Sequence, residues 1–118
     1  MAIQLKRAYD KPQKADGFRV LIDRIWPRGV RQEDLKLDLW LRSLAPSTEL
    51  RQWFGHDPEK WDQFRERYFR ELDAHPDEIA LLCEKMRQGS FTIVFGSREE
   101  RFNNATALKE YLEDRRKR

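Results

Sequence analysis

The sequence has a single cysteine, Cys83, among its 118 residues. One thiol cannot close an intramolecular disulfide and is too few for a cysteine-based zinc site, so both frameworks are excluded. The two histidines, His56 and His75, lie at predicted helix junctions, and no H-x-x-x-H spacing or cysteine partner supports a metal site. The glycine-rich loops of dinucleotide-binding proteins and P-loop enzymes are also missing. No cofactor and no metal is therefore indicated.

Long apolar runs are absent as well. No stretch approaches the roughly 20 residues of a membrane span, and the N-terminus lacks an apolar segment of signal-peptide length. Charged residues make up 38% of the chain and the mean hydropathy is −0.92, but 12% aromatic residues argue for a folded core. The length suits one domain. We therefore expect a single-domain cytoplasmic protein with no membrane partner, and nothing indicates its oligomeric state.

The net charge of +3 is unevenly distributed. Residues 1–31 hold eight basic and three acidic side chains, whereas residues 32–114 hold 12 basic and 18 acidic ones. Residues 115–118 are all basic. An anion site is therefore sought in the first segment. The basic tail could contact nucleic acid, although a solvated helix end is the simpler interpretation.

Alternating apolar and β-branched residues predict several short strands. Strands are expected at residues 3–7, 18–25 and 91–95, of which the last two look buried on both faces. Residues 35–45 fit both a period of two and a helical face, and we favour a strand within 38–44.

Four helices are predicted from capping residues and apolar spacing. Ser47 is the expected N-cap of a helix that Gly55 ends, and Asp57 with the following proline begins the next one. Two further helices are expected near residues 77–88 and 103–115. Two i, i+4 ion pairs are predicted on the second helix: Glu66 with Arg70, and Arg67 with Glu71. This order predicts an α/β domain with a small, mostly parallel sheet flanked by helices.

The best candidate site follows the strand predicted at residues 18–25. Asp23, Arg24 and Arg28 come where that strand should end, and ligands of open parallel sheets bind at the carboxyl ends of strands. Two guanidinium groups suit a phosphate or carboxylate, and Asp23 could orient one of them or act as a general base. The alternative is a structural Asp23–Arg24 ion pair with Arg28 in solvent.

A second group of candidates follows the strand at residues 91–95. Ser97 could help to hold an anion, and Asn103 precedes a helix N-terminus, where free N–H groups favour negative charge. The alternative is a plain turn followed by an N-cap. Arg7, in the basic N-terminal segment, is a further candidate ligand-binding residue.

The segment 19–30, RVLIDRIWPRGV, resembles the signature of the YeaO-like proteins within the family called domain of unknown function 488. The resemblance extends over nearly the whole chain. It implies an α/β layout in which two strand ends face one pocket, with Asp23, Arg24 and Arg28 in the first motif and Asn103 in a later N-H-A motif. This chain has Asn104 in place of the usual histidine of that motif, and the family's activity is not established.

The favoured hypothesis is binding, with turnover left open, of an anionic small molecule such as a nucleotide or a sugar phosphate. Arg24 and Arg28 would hold the anion, Asp23 would orient it or act as base, and Ser97 and Asn103 would complete the rim. One alternative is a nucleic-acid accessory protein that uses the basic termini. Another is a protein-interaction module that uses exposed aromatic residues, namely Trp26, Trp40 and Trp53, although we favour the interpretation that most of these belong to the core.

Overall fold

The computed structural model describes residues 3–116, which contain one four-stranded parallel sheet. Its strands are β1 (Ile3–Arg7), β2 (Phe18–Leu21), β3 (Leu39–Trp40) and β4 (Phe91–Phe95). Their order across the sheet is β1-β4-β2-β3, and every pairing is parallel. The predicted α/β class and parallel sheet are confirmed. The two buried strands, β4 and β2, are neighbours, so their carboxyl ends lie side by side.

Five helices accompany the sheet. They are α1 (Gln32–Leu35), α2 (Thr48–Phe54), α3 (Trp61–Asp73), α4 (Pro76–Gln88) and α5 (Asn104–Arg116), with 3₁₀ turns at Lys14–Asp16, Arg42–Leu44 and Pro58–Lys60. The predicted caps are confirmed: the Leu50 N–H donates to Ser47 Oγ at 3.1 Å, and the Glu59 N–H donates to Asp57 Oδ1 at 3.0 Å. Gly55 ends α2 with a φ of 53°.

The prediction for β2 was too long. β2 ends at Leu21 rather than at residue 25, because the next side chains leave the ladder and Asp23 accepts the Gly96 N–H through its carboxylate. The strand favoured within 38–44 is confirmed as β3, which a 3₁₀ turn follows. The alternation over 35–45 is longer than the strand because it spans the end of α1, β3 and that turn.

One of the two predicted helical ion pairs is wrong. Arg70 Nη2 lies 3.2 Å from Glu66 Oε1, as expected. Glu71, however, accepts hydrogen bonds from the backbone N–H and the hydroxyl of Ser47, at 2.8 and 2.7 Å. Arg67 instead stacks over the ring of Trp53, 4.0 Å from its centroid. Each residue of the expected pair therefore contacts a residue outside α3 instead.

The two faces of the sheet are covered differently. One face carries the large core, in which Val20, Ile93 and Phe95 pack with apolar side chains of α2, α3, α4 and α5. The opposite face carries a small cluster around Leu21 and Val94. The large core fixes the helices relative to the strand ends, and so fixes the shape of the site described next.

The C-terminal helix includes the first part of the basic tail. Arg115 donates to the Tyr111 hydroxyl at 2.6 Å and to Asp73 Oδ1 at 3.2 Å, so this end of α5 is anchored rather than frayed. Lys117 and Arg118, on which the nucleic-acid alternative also rests, lie outside the described residues. Among residues 3–116, no helix has the length and apolarity that a membrane crossing requires.

Candidate functional site

A cavity of about 510 Å³ lies at the carboxyl ends of β2 and β4. Three segments form most of its wall: residues 23–28 after β2, residues 51–56 at the end of α2, and residues 96–104 between β4 and α5. This is the edge at which open parallel sheets bind ligands. The cavity brings together five of the six residues predicted for the site: Asp23, Arg24, Arg28, Ser97 and Asn103.

Asp23 connects the wall segment after β2 to the one between β4 and α5. Its Oδ2 accepts the Gly96 N–H at 2.8 Å, and its Oδ1 accepts from Asn104 Nδ2 at 3.1 Å. Its carbonyl oxygen accepts from Trp40 Nε1 at 2.7 Å. A Cβ on Gly96 would come within 3.3 Å of Asp23 Oδ2, so glycine at this position lets the backbone approach the carboxylate. Both carboxylate oxygens are therefore engaged in holding the site together.

The protein environment changes the acidity of Asp23. Burial raises the pKa of its carboxyl above the ordinary value of 3.8, because a charged form is disfavoured away from water. The hydrogen bonds from Asn104 and Gly96 and the positive charge of Arg51 oppose that rise without cancelling it. Asp23 thus keeps its proton to a higher pH than a carboxyl in water does.

The alternative Asp23–Arg24 ion pair is not formed. Asp23 has the partners just described, and the Arg24 guanidinium instead donates to the hydroxyl of Thr48 at the start of α2. Arg24 is exposed and lines the cavity. Its charge is therefore not neutralised by the neighbouring carboxylate.

Arg28 and Arg51 are the arginines of the described wall whose guanidinium groups make no hydrogen bond and no close ion pair, although the charge of Arg51 is near enough to act on Asp23. Within residues 3–116, neither guanidinium has a hydrogen-bond or ion-pair partner. The Arg28 backbone is held by Tyr9, whose hydroxyl donates to the Arg28 carbonyl oxygen at 3.1 Å. Arg51 was not predicted from the sequence. It reaches the cavity because α2 runs past the strand ends, and nothing in its local pattern signals this.

Ser97 and Asn103 line the cavity but have local structural roles. Ser97 Oγ accepts the Glu99 N–H at 3.0 Å. Asn103 caps α5, since its Oδ1 accepts the Thr106 N–H at 2.8 Å while its Nδ2 donates to the Glu99 carbonyl at 2.7 Å. The turn and N-cap weighed as alternatives are therefore present, at the wall of the cavity.

Arg7 does not line the cavity. Its Nε donates to the Ser97 carbonyl oxygen at 3.2 Å, and its guanidinium lies 5.1 Å from the centroid of the Tyr9 ring. It supports two residues of the wall from behind.

Sequence reasoning missed two polar residues of the α2 wall besides Arg51. Gln52 and His56 both line the cavity and are exposed. His56 has a φ of 58°, directly after Gly55 at 53°, so two consecutive left-handed residues turn the chain at the end of α2. The glycine signalled the helix end, but not where the following imidazole would point. No three histidine, cysteine or acidic side chains cluster as a metal site in the described part of the chain.

The three tryptophans considered for partner binding are all half-buried. Trp26 and Trp40 contact each other edge to face, with ring centroids 5.2 Å apart. Trp53 lies between Arg67 and Lys60, whose charges are 4.0 and 5.2 Å from its ring centroid. Of the three, Trp26 lines the cavity.

The chain was compared with known proteins. A family model described as "Inactive DUF488-N3 subclade" matches residues 2–118. The Escherichia coli protein named "Uncharacterized protein YeaO" is 38% identical over 112 residues, which cover 95% of this chain and 97% of that protein. Uncharacterized proteins of Mycobacterium tuberculosis and Mycobacterium bovis are 37% identical over 113 residues, covering 96% of this chain and 95% of each relative. No solved structure matches significantly.

Proposed function

The chain belongs to the YeaO-like group of the DUF488 family, and from that premise and the cavity we propose that it binds a small organic anion without converting it. Arg28 and Arg51 are the proposed partners of the anionic group, with Arg24 beside them. The observation that supports this proposal is that, among the described residues, the cavity is lined by two arginines without a hydrogen-bond or ion-pair partner and by a single acid, Asp23.

Electrostatics supports an anion rather than a cation as the occupant. Three arginines line the cavity against one carboxylate, and that carboxylate is already occupied by two hydrogen-bond donors. A cation would meet net repulsion, because the three arginines outweigh the one carboxylate in the described wall. An anion would gain charge-assisted hydrogen bonds from planar guanidinium forks, which suit phosphate and carboxylate oxygens.

The size and lining of the cavity support an organic ligand rather than a simple ion. Pockets for small molecules are mostly apolar with a few converging polar groups, and hold roughly 300–1,000 Å³. The 510 Å³ cavity fits that range, and its floor includes Pro27, Phe54 and Phe64. Phosphate alone would leave most of this apolar surface wet.

Binding without turnover is proposed because the expected base is not available in its present setting. Asp23 uses both oxygens to fix Gly96 and Asn104, so a proton transfer from a ligand would disrupt the wall itself. The description of the matching family model as inactive agrees with this proposal.

Calorimetric titration with phosphate monoesters tests the proposal. Wild type should bind, and Arg28→Gln and Arg51→Gln should each weaken binding by about tenfold, corresponding to ~1.4 kcal/mol for a lost charge-assisted contact. Arg87→Gln is the matched control, because Arg87 is an exposed residue of α4 outside the cavity. This variant should bind as wild type does. Phosphorus NMR of the same mixtures should show unchanged ester over hours.

Two results would contradict the proposal. Equal binding by wild type, the Arg28 variant and the Arg51 variant would place the anion elsewhere. Steady release of inorganic phosphate by wild type, lost in the Arg51 variant, would show an enzyme instead of a binding protein.

A further inference from the structure

Aromatic rings form a large part of the cavity wall. They come from five separate parts of the chain: Tyr9, Trp26, Phe54, Phe64 and Phe102. Phe54 and Phe64 are buried parts of the large core, whereas Trp26 and Phe102 are only half-buried. The cavity therefore presents ring surface to its contents and not only to the protein interior.

The two half-buried rings are held in place by the protein. Trp26 Nε1 donates to the Val30 carbonyl oxygen at 2.5 Å, and its ring meets Trp40 edge to face. Phe102 contacts the ring of Trp61 in a T-shaped arrangement, with centroids 5.3 Å apart. Rings that are already fixed lose little conformational freedom when a ligand packs on them.

Polar groups that could form hydrogen bonds with the edge of a ligand ring also line the cavity. Gln52 and His56 line the cavity from the α2 side, and within residues 3–116 their side chains make no hydrogen bond. Both offer a donor and an acceptor. They lie in the same wall as Arg51, so ring-edge recognition and anion recognition can act on one molecule.

A sugar phosphate fits this lining poorly. Its hydroxyl groups would lie against aromatic and proline side chains, where each unpaired polar group is costly. A flat ring would instead stack on the fixed aromatic surface, which is the way proteins hold bases and other aromatic groups.

We propose that the ligand is a phosphate monoester whose organic part carries a flat aromatic or heteroaromatic ring, as a nucleoside monophosphate does. This inference rests on the anion binding proposed above and specifies the class of ligand. The phosphate contacts the arginines, and the ring packs against the aromatic wall.

Four probes on wild-type protein test the ring requirement: adenosine 5′-monophosphate, phenyl phosphate, ribose 5-phosphate and inorganic phosphate. The nucleotide should bind at least tenfold more tightly than ribose 5-phosphate, since stacking of one base contributes about that much. Phenyl phosphate at the affinity of the nucleotide would show that any ring suffices. Tighter nucleotide binding would point to edge recognition by Gln52 and His56.

Phe102→Leu keeps an apolar side chain but removes the ring. It should reduce the preference for the nucleotide over ribose 5-phosphate roughly tenfold while leaving ribose 5-phosphate binding unchanged. Phe69→Leu is the matched control, because Phe69 is half-buried against Tyr111 outside the cavity. Tryptophan fluorescence is a second measurement. The nucleotide should quench the contribution of Trp26 in wild type, and this quenching should be lost in Trp26→Phe. The result does not depend on whether the Phe102 variant folds.

Anion binding and the ring requirement are contradicted by different results. If ribose 5-phosphate binds as tightly as the nucleotide, and Arg51→Gln weakens both, the ring requirement is wrong while anion binding stands. If none of the four probes binds to wild type, anion binding itself is wrong, and the ring requirement falls with it.

Discussion

Asp23 is the residue on which the geometry of the cavity depends most. It joins the end of β2 to Gly96 after β4 and to Asn104 at the start of α5, across 73 and 81 positions of sequence. At the same time it is the one negative charge that we find in the described wall, beside the arginines proposed to hold an anion. Its structural and electrostatic effects on binding therefore oppose each other.

Asp23→Asn separates these two effects. The amide keeps the size of the carboxyl and can still accept the Gly96 N–H, and a rotated Asn104 amide can pair with it. Loss of the charge should strengthen binding of a phosphate monoester at pH 7 by roughly tenfold, or ~1.4 kcal/mol. Calorimetric titration measures this, and weaker binding by a variant with a wild-type melting temperature would show that the charge itself is needed.

The raised pKa of Asp23 makes both the stability of the fold and its affinity for an anion depend on pH, each in a defined direction. Because the folded state holds this proton more tightly than the unfolded chain, the stability gained from protonation is fully present below about pH 3.8 and is lost as pH rises through the higher folded pKa. In the same window the affinity of wild type for an anion should fall relative to that of Asp23→Asn. A ratio of the two affinities that stays constant from pH 4 to 7 would contradict this, and the ligand's own titration cancels in the ratio.

At the level of elements, α2 sets one wall of the cavity, and its N-terminus is fastened to α3. Ser47 caps α2 through its hydroxyl and also binds both oxygens of Glu71 on α3. Ser47→Ala removes the cap and one of the contacts to Glu71. It should lower the free energy of unfolding by about 1–2 kcal/mol.

Chemical denaturation measures that change. Ser43→Ala is the matched control, because Ser43 is exposed in the preceding 3₁₀ turn and no hydrogen bond of its side chain is found among the described residues. It should change stability by less than ~0.5 kcal/mol. Equal effects of the two variants would mean that neither the cap nor the hydroxyl contact of Ser47 with Glu71 contributes to stability.

What the sequence could predict about these elements follows from the range of the interactions involved. The caps at Ser47 and Asp57 were predictable because capping acts over two or three residues. The end of β2 was not, since it depends on the contact between Asp23 and Gly96. Arg51 and His56 were missed for the same reason: their place in the cavity depends on where α2 packs, and their own neighbours in sequence carry no sign of it.

At the level of the whole molecule, the sheet is secured by apolar packing on one face and partly by charge on the other. On the second face, Arg19 Nη1 lies 2.7 Å from Asp16 Oδ2, and both side chains are 4% exposed. Arg19 also donates twice to the Leu35 carbonyl oxygen of α1, at 3.2 and 2.8 Å. Lys6 of β1 lies 3.2 Å from Asp16 Oδ1, and Thr92 of β4 donates to the Asp16 carbonyl oxygen at 2.7 Å. One small network thus connects β1, β2, β4 and α1.

This network should set the acid stability of the fold. Burial tends to raise the pKa of Asp16, but the hydrogen bonds from Gln13 and Lys6, and the charges of Lys6 and Arg19, outweigh it and leave the pKa below 3.8. With the folded pKa lowered, its contribution to stability is present above about pH 3.8 and is lost as pH falls through the folded value. Acid titration followed by circular dichroism should show this loss in wild type and a weaker one in Asp16→Asn.

Arg19→Met tests the same network at neutral pH. It removes the main partner of a buried carboxylate and leaves the Leu35 carbonyl without its donor, so we expect a loss of about 3 kcal/mol in the free energy of unfolding. Arg70→Met is the control, since the Arg70–Glu66 pair is exposed and should contribute less than ~0.5 kcal/mol. Urea denaturation of both variants measures the difference. A loss no larger in Arg19→Met than in Arg70→Met would mean that the contacts of Arg19 add little to stability and that apolar packing holds the sheet.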